Sequence, residues 1–228
     1  MVQRPSRGAF PGLHVFTGGK VDKTDVELVE RISWTGPTKD QACEQLATPR
    51  ALHYYLAAVR ECYEEAGVLI ANLAQSGGQA SAQAVWDAQQ LDHLRTHREQ
   101  EFGGVCNDLG ATLAFGELHY FSHWITPEIA PRRFDTRFFV ARMPPQQEAT
   151  HAPGETVGGE WVAPKLALAR GDSGDWALIM PTIISLQSLA RYSDTAALVD
   201  AVQRFEHLPP YSDELRHEGM QPGSYPSN

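Results

Sequence analysis

The chain has 228 residues, enough for one domain with a generous insertion and a core that needs no covalent staples. Lys and Arg number 19 against 28 Asp and Glu, a formal net charge of −9, which argues against a duplex nucleic-acid binder but not against an enzyme that handles phosphate groups through a bound cation. Hydrophobic residues make up 42% and charged residues 21%, so a folded globular chain is expected; no apolar run reaches the roughly 18 residues of a membrane span.

The chain opens on Met1-Val-Gln-Arg-Pro5, with no apolar core of a signal peptide. Cys43, Cys62 and Cys106 form no CxxC pair and no even framework, so the expected setting is reduced and cytoplasmic. Residues 8–20 read as a loop holding a short strand, with Gly12, Gly18 and Gly19 permitting tight turns or close backbone approach. Residues 21–47 are acidic and show little period beyond a short helix near Gln41–Leu46.

Thr48-Pro49 then reads as the start of the strongest helix, with Thr as cap and Pro at the first helical position. Leu52, Tyr55, Leu56, Val59, Cys62, Tyr63 and Ala66 recur at three- and four-residue steps, and Gly67 suits the stop. Residues 76–80 read as a small-residue linker, Ala82–Leu94 as a helix, and Arg95–Glu101 as its charged continuation. The period then changes. Thr112–Ile125 and Arg133–Met143 read as neighbouring strands, and Thr156–Val162 as a third that leads through Pro164 into a helix. Pro181–Tyr192 and Thr195–Phe205 close the fold as helices, and residues 207–228 read as a loose tail. The expectation is a single domain over residues 1–206.

The chemistry concentrates in Arg60-Glu61-Cys62-Tyr63-Glu64-Glu65-Ala66-Gly67. At about 100° per residue the three glutamates share one sector of the helix, roughly opposite the apolar residues, with Ala57 leaving room one turn earlier. Carboxylates at i, i+3 and i+4 repel by a few tenths of a kcal/mol per pair. They also lie near the negative end of the helix dipole. A hard divalent cation removes both costs, because Mg²⁺ and Ca²⁺ prefer carboxylate oxygen. Alone, such a run is more often a solvated acidic face.

These residues have company. With Gly19 and Asp25 they resemble the Nudix box, G-x5-E-x7-R-E-U-x-E-E-x-G-U. The second half matches at each specified position if Cys62 takes the apolar slot. The first half departs twice: Asp25 stands for Glu, and residues 26–59 form a 34-residue spacer where the family usually has seven. That lengthening is similar to the branch containing peroxisomal coenzyme A diphosphatases and their bacterial relatives. Val15-Phe16-Thr17-Gly18-Gly19-Lys20-Val21-Asp22, Trp124-Ile125-Thr126-Pro127, Arg132 to Phe139 and Trp161-Val162 before Pro164 resemble further segments of that branch.

The resemblance implies a mixed α/β (α+β) fold, an α/β/α sandwich around a mixed sheet, with helical insertions at about 26–48 and 76–110. It implies hydrolysis of a small-molecule diphosphate assisted by Mg²⁺ or Mn²⁺, with coenzyme A or an acyl derivative favoured. ADP-ribose or a nucleotide sugar is the alternative substrate, and a non-catalytic nucleotide- or protein-binding domain the alternative function. Glu61, Glu64 and Glu65 are the implied metal ligands, with Glu155 as a fourth from a loop. Arg60 is implied to pair with Asp25, across a backbone shift or a water because Asp is one methylene short. Gly19 lets the loop approach the helix, Gly18 and Gly19 are candidates for substrate binding, and Arg132 and Arg133 are candidates for substrate phosphates. Arg137 reads as a solvated strand end, Asp22 as a weak extra ligand, and His14, His53, His119 and His123 as histidines without ligand spacing. A homodimer is open to the sequence, which carries no signal for or against it; nucleic acid and membrane are not expected partners. Relatives carry a full strand before the segment resembling Val2-Gln3-Arg4-Pro5, so a chain extended upstream is expected to be the more stable.

Overall fold

The computed structural model describes residues 1–7, 11–73, 86–126, 128–130, 132–152, 156–204 and 221–222. In chain order the elements are β1 (Val2–Gln3), β2 (His14–Val15), α1 (Lys23–Leu28), β3 (Trp34–Thr35), α2 (Lys39–Leu46), α3 (Ala51–Ala66), β4 (Ala71–Leu73), α4 (Ala88–Thr96) and α5 (Phe102–Leu109). There follow β5 (Ala111–Ala114), β6 (His119–Ile125), β7 (Asp135–Val140), β8 (Gly158–Gly159), α6 (Pro164–Asp172), α7 (Met180–Leu189), α8 (Thr195–Gln203) and β9 (Gln221–Pro222). The architecture is mixed α+β, as expected. The strands form three short sheets, β2-β1-β8, β3-β5-β4 and β7-β6-β9. The second is mixed, with β3 parallel and β4 antiparallel to β5. Val2–Gln3 takes the central place in the first sheet.

Helix α3 is fixed by its apolar stripe. Leu52, Tyr55, Leu56, Val59 and Tyr63 are buried against α2, β4, β5 and α5 in the main core. Each such side chain contributes about 1.5–3 kcal/mol. That outweighs the few tenths per pair that the clustered carboxylates cost, so packing decides the helix and the charges follow it.

Its start differs from expectation. Thr48 and Pro49 belong to the turn that closes α2, where Ala47 adopts a left-handed φ of 49° and Thr48 N–H bonds Cys43 O. The Thr48 hydroxyl accepts from Arg50 N at 3.3 Å, but the cap position falls at Arg50, and α3 starts at Ala51 without a side-chain cap. The end is as read: Gly67 takes φ 69° and its N–H returns to Tyr63 O at 2.7 Å.

Other boundaries moved for identifiable reasons. Residues 21–47, which show little period, hold α1 and α2, each opened by a capping box, Asp22/Asp25 and Thr38/Gln41. The linker and the first residues of the helix expected over Ala82–Leu94 lie outside the described residues. The charged run does not continue it, since α4 ends at Thr96 with His97 as its C-cap. Glu101 then caps a separate helix by accepting from Gly103 N and Gly104 N. This helix falls within the expected helical insertion over about 76–110, and a Cβ on Gly103 would come within 3.0 Å of Leu28 Cδ1. The strand expected over Thr112–Ile125 is broken by a 3₁₀ turn at Phe115–Glu117. The strand expected over Thr156–Val162 shortens to Gly158–Gly159. Strands β6 and β7 pair as expected, antiparallel, with a bulge between Tyr120 and Ser122. Of the residues read as a loose tail, only 221–222 are described. Among the described residues no helix is long and apolar enough to cross a membrane.

Candidate active site

The C-terminal half of α3 meets the loop after β2. Arg60 is the hub. Its Nε and Nη2 grip both oxygens of Asp25 at 2.7 and 2.9 Å, and Nη2 also donates to Lys20 O at 2.9 Å. Its Nη1 reaches Glu61 at 2.8 Å and Glu64 at 2.7 Å. Burial alone would lower the Arg60 pKa. The hydrogen bond to Asp25 and the charges of Glu61, Asp25 and Glu64 outweigh that and raise it.

Asp25 is 0% exposed. The pairing expected to need a shift or a water is direct. The short helix α1 makes up the missing methylene by turning Asp25 toward α3, where Asp25 also accepts from Asp22 N at 2.7 Å. Asp22 itself caps α1 through Thr24 N.

Glu65, 2% exposed, is the most enclosed of the three glutamates. Its Oε2 accepts from Gly18 N at 2.9 Å and its Oε1 lies 3.0 Å from Arg4 Nη1. Arg4 Nη2 donates to Gly18 O at 2.6 Å. Gly19 makes room for Glu61: a Cβ there would fall 2.2 Å from Glu61 Oε1, so any side chain would displace that carboxylate. The helix terminus has its own cation, because Arg98 Nη2 donates to Glu64 O at 3.1 Å, which offsets the unfavourable dipole. Neither Arg4 nor Arg98 carries any local signal in the sequence; both reach the site from distant segments.

Burial pushes the Glu61 carboxyl up to about 7; Arg60 pulls against this, while Glu65 and Glu64 add to it. Between the ordinary carboxylate range and pH 7, the folded protein keeps a proton that the unfolded chain has released. Stability linked to Glu61 is therefore fullest at low pH and falls as pH rises through about 7. Glu61→Gln copies the protonated form and removes the loss. In EDTA the variant is expected to melt with the wild type at about pH 5 and on the order of 5 °C above it at about pH 8. Identical melting curves at the higher pH would show that ionising Glu61 is free of cost.

A cleft of about 1680 Å³ opens beside these groups. Its wall includes Arg4, Gly18, Gly19, Arg132, Arg133 and Arg137. Arg132 and Arg133 are exposed at the rim. Arg137 is not the solvated strand end its sequence suggests. Its side chain is only 5% exposed, paired with Asp135 at 2.7 Å and stacked 4.1 Å over the Tyr54 ring. Asp135 also bonds His123 at 2.5 Å, and His14 stacks on Trp176. Segment 150–152 docks on the end of α3 through Thr150 N to Ala66 O and Ala152 N to Glu65 O; Glu155 lies outside the described residues.

Among the described residues no three His, Cys, Asp or Glu side chains stand together ready to hold a metal, because the glutamates are turned onto Arg60 and Arg4. The donor chemistry nevertheless fits a hard cation. Four carboxyl groups (Asp25, Glu61, Glu64, Glu65) share two guanidiniums, an excess of acidic oxygens, and Glu65 stands beside the Gly18 carbonyl.

The fold and this box place the chain in a known class. It belongs to the Nudix family, matching the NUDT19 Nudix domain over residues 30–189, a span that includes the whole run from Arg60 to Gly67. Among its relatives, the acyl-coenzyme A diphosphatase NUDT19 of Homo sapiens is 29% identical, the match covering 87% of this chain and 62% of that protein. The putative nudix hydrolase 7 of Caenorhabditis elegans is 28% identical over 85% of this chain and 56% of its own length. The chain thus spans about three-fifths of the length of these relatives. A crystal structure of a Nudix hydrolase from Alicyclobacillus acidocaldarius superposes with a TM-score of 0.66 at 23% identity, covering 89% of this chain and 86% of that one. That likeness speaks for the fold.

Proposed function

We propose that the chain is a divalent-cation-dependent hydrolase of a diphosphate linkage, with coenzyme A or an acyl-coenzyme A as the favoured substrate. The observation that carries this is the Arg60-centred carboxylate cluster held against the Gly18-Gly19 loop. The coenzyme A preference rests on the activity named for the human relative. Glu61, Glu64 and Glu65 would hold the cation, Mg²⁺ or Mn²⁺, with Glu155 as the proposed fourth carboxylate. When bound, such a cation screens the diphosphate and makes water a better nucleophile.

The chain's own groups do the rest. Arg60 and Asp25 set the pitch of the carboxylates, and Gly19 leaves room for Glu61. One of these glutamates is the candidate to take a proton from the attacking water. Arg132 and Arg133 at the rim are suited to bidentate contacts with substrate phosphates. The cleft exceeds the roughly 300–1,000 Å³ of ordinary ligand pockets, which suits a substrate as long as coenzyme A.

The test is turnover of a panel (coenzyme A, acetyl-coenzyme A, ADP-ribose, a nucleotide sugar) by purified protein with Mn²⁺. Release of 3′,5′-ADP and a phosphopantetheine product from coenzyme A is the expected result. Preferential cleavage of ADP-ribose or the nucleotide sugar would move the substrate assignment. No turnover of any member would overturn the hydrolase reading in favour of a binding domain.

A further inference from the structure

Arg4 does something that no role in the box requires. Its backbone N–H bonds Leu13 O at 2.9 Å, which anchors it beside the β1–β2 ribbon. From there its guanidinium grips two oxygens at once, Glu65 Oε1 at 3.0 Å and Gly18 O at 2.6 Å. These oxygens are held together from the other side by the bond from Gly18 N to Glu65 Oε2 at 2.9 Å. A carboxylate oxygen and a backbone carbonyl side by side are hard donors of the kind a divalent cation selects. The Arg4 side chain is 28% exposed and lines the cleft, so it has a way out.

We propose that Arg4 is a resident counter-cation: it occupies the Glu65–Gly18 oxygen pair and must swing into the cleft before a divalent ion can take that pair. This rests on the reading of the glutamate cluster as a cation site. Three consequences follow from one exchange. The metal-free protein is stabilised, because the enclosed Glu65 carboxylate keeps a partner. Metal affinity is reduced by the fraction of molecules in which the pair is already occupied. The displaced guanidinium stands on the cleft wall, where a phosphate group is the anion for it to meet, so arrival of the ion and readiness for substrate are coupled.

The experiment is titration calorimetry of Mn²⁺ into wild type, Arg4→Met and Arg4→Lys, with melting curves in EDTA and in Mn²⁺. Arg4→Met is expected to bind Mn²⁺ about tenfold more tightly than wild type, to melt lower in EDTA, and to gain more from Mn²⁺. Lysine is a point charge that cannot fork across both oxygens, so Arg4→Lys should fall between the two, and it serves if the Met variant does not fold. A variant that binds Mn²⁺ as wild type does, or more weakly, overturns the proposal and makes Arg4 a plain support for Glu65. The readout is separate from turnover. Tighter Mn²⁺ binding without hydrolysis keeps this inference and removes the hydrolase reading; hydrolysis with unaltered affinity does the reverse. Absence of Mn²⁺ binding in all three proteins overturns both.

Discussion

Glu65→Gln is expected to lower kcat on the best diphosphate substrate by about a thousandfold or more, as loss of a principal charge from a preorganised site does. Glutamine is nearly isosteric and still accepts a hydrogen bond from Gly18 N, the contact that Glu65 Oε2 makes at 2.9 Å. What it lacks is the charge that faces Arg4 and, in the proposed function, the divalent cation. The fold should therefore survive, visible as an unchanged far-ultraviolet dichroism spectrum, while Mn²⁺ affinity drops. Turnover within a few-fold of wild type would remove Glu65 from the site and shift the burden to Glu61 and Glu64. The same substitution at Glu64, whose side chain is 28% exposed and shares Arg60 with Glu61, should cost less.

Arg60→Met is expected to be the most destabilising single change in the site, by about 3–5 kcal/mol in urea unfolding. The reason is not the number of bonds lost but what they leave behind. Asp25 is fully buried, and Arg60 supplies both of its charged contacts. Removing the guanidinium strands that carboxylate and lets Glu61 and Glu64 repel without a mediator. A double variant, Arg60→Met with Asp25→Leu, removes the stranded charge too and should be more stable than Arg60→Met alone. Additive losses would mean that the pair is packing rather than electrostatics, and that Arg60 is not the hub its geometry makes it.

The legible part of this site was the part written within one helix. Spacings of three and four residues place Glu61, Glu64 and Glu65 on one sector, and Gly67 ends the helix at φ 69° where a left-handed residue is needed. Gly19 was legible as a point of close approach, though not that the approach is to Glu61. The Asp25–Arg60 pair came from the Nudix resemblance, and its directness could not be read. It depends on α1 being a real helix, which a six-residue stretch with one capping box announces only faintly. The misreadings have one cause. Thr48 looks like a cap until the turn that closes α2 takes it in and the cap position falls at Arg50. Arg137 looks like a solvated end until Tyr54 lies under it.

The sequence by itself determined the periodicities, and so the carboxylate-bearing helix, its acidic sector, its stop and the mixed architecture, because these depend on residues a few positions apart. Tertiary structure decided most of the charges that balance that sector. Arg60 shares the helix with Glu61 and Glu64, but Arg4, Arg98 and the buried Asp25 that pairs with Arg60 come from separate segments, so these partners are set by where the chain returns in space. Electrostatics acts over a few ångströms regardless of chain distance, so an acidic helix could be read as a site, but its neutralisation, and the contest over Glu65 that we infer from it, waited for the fold.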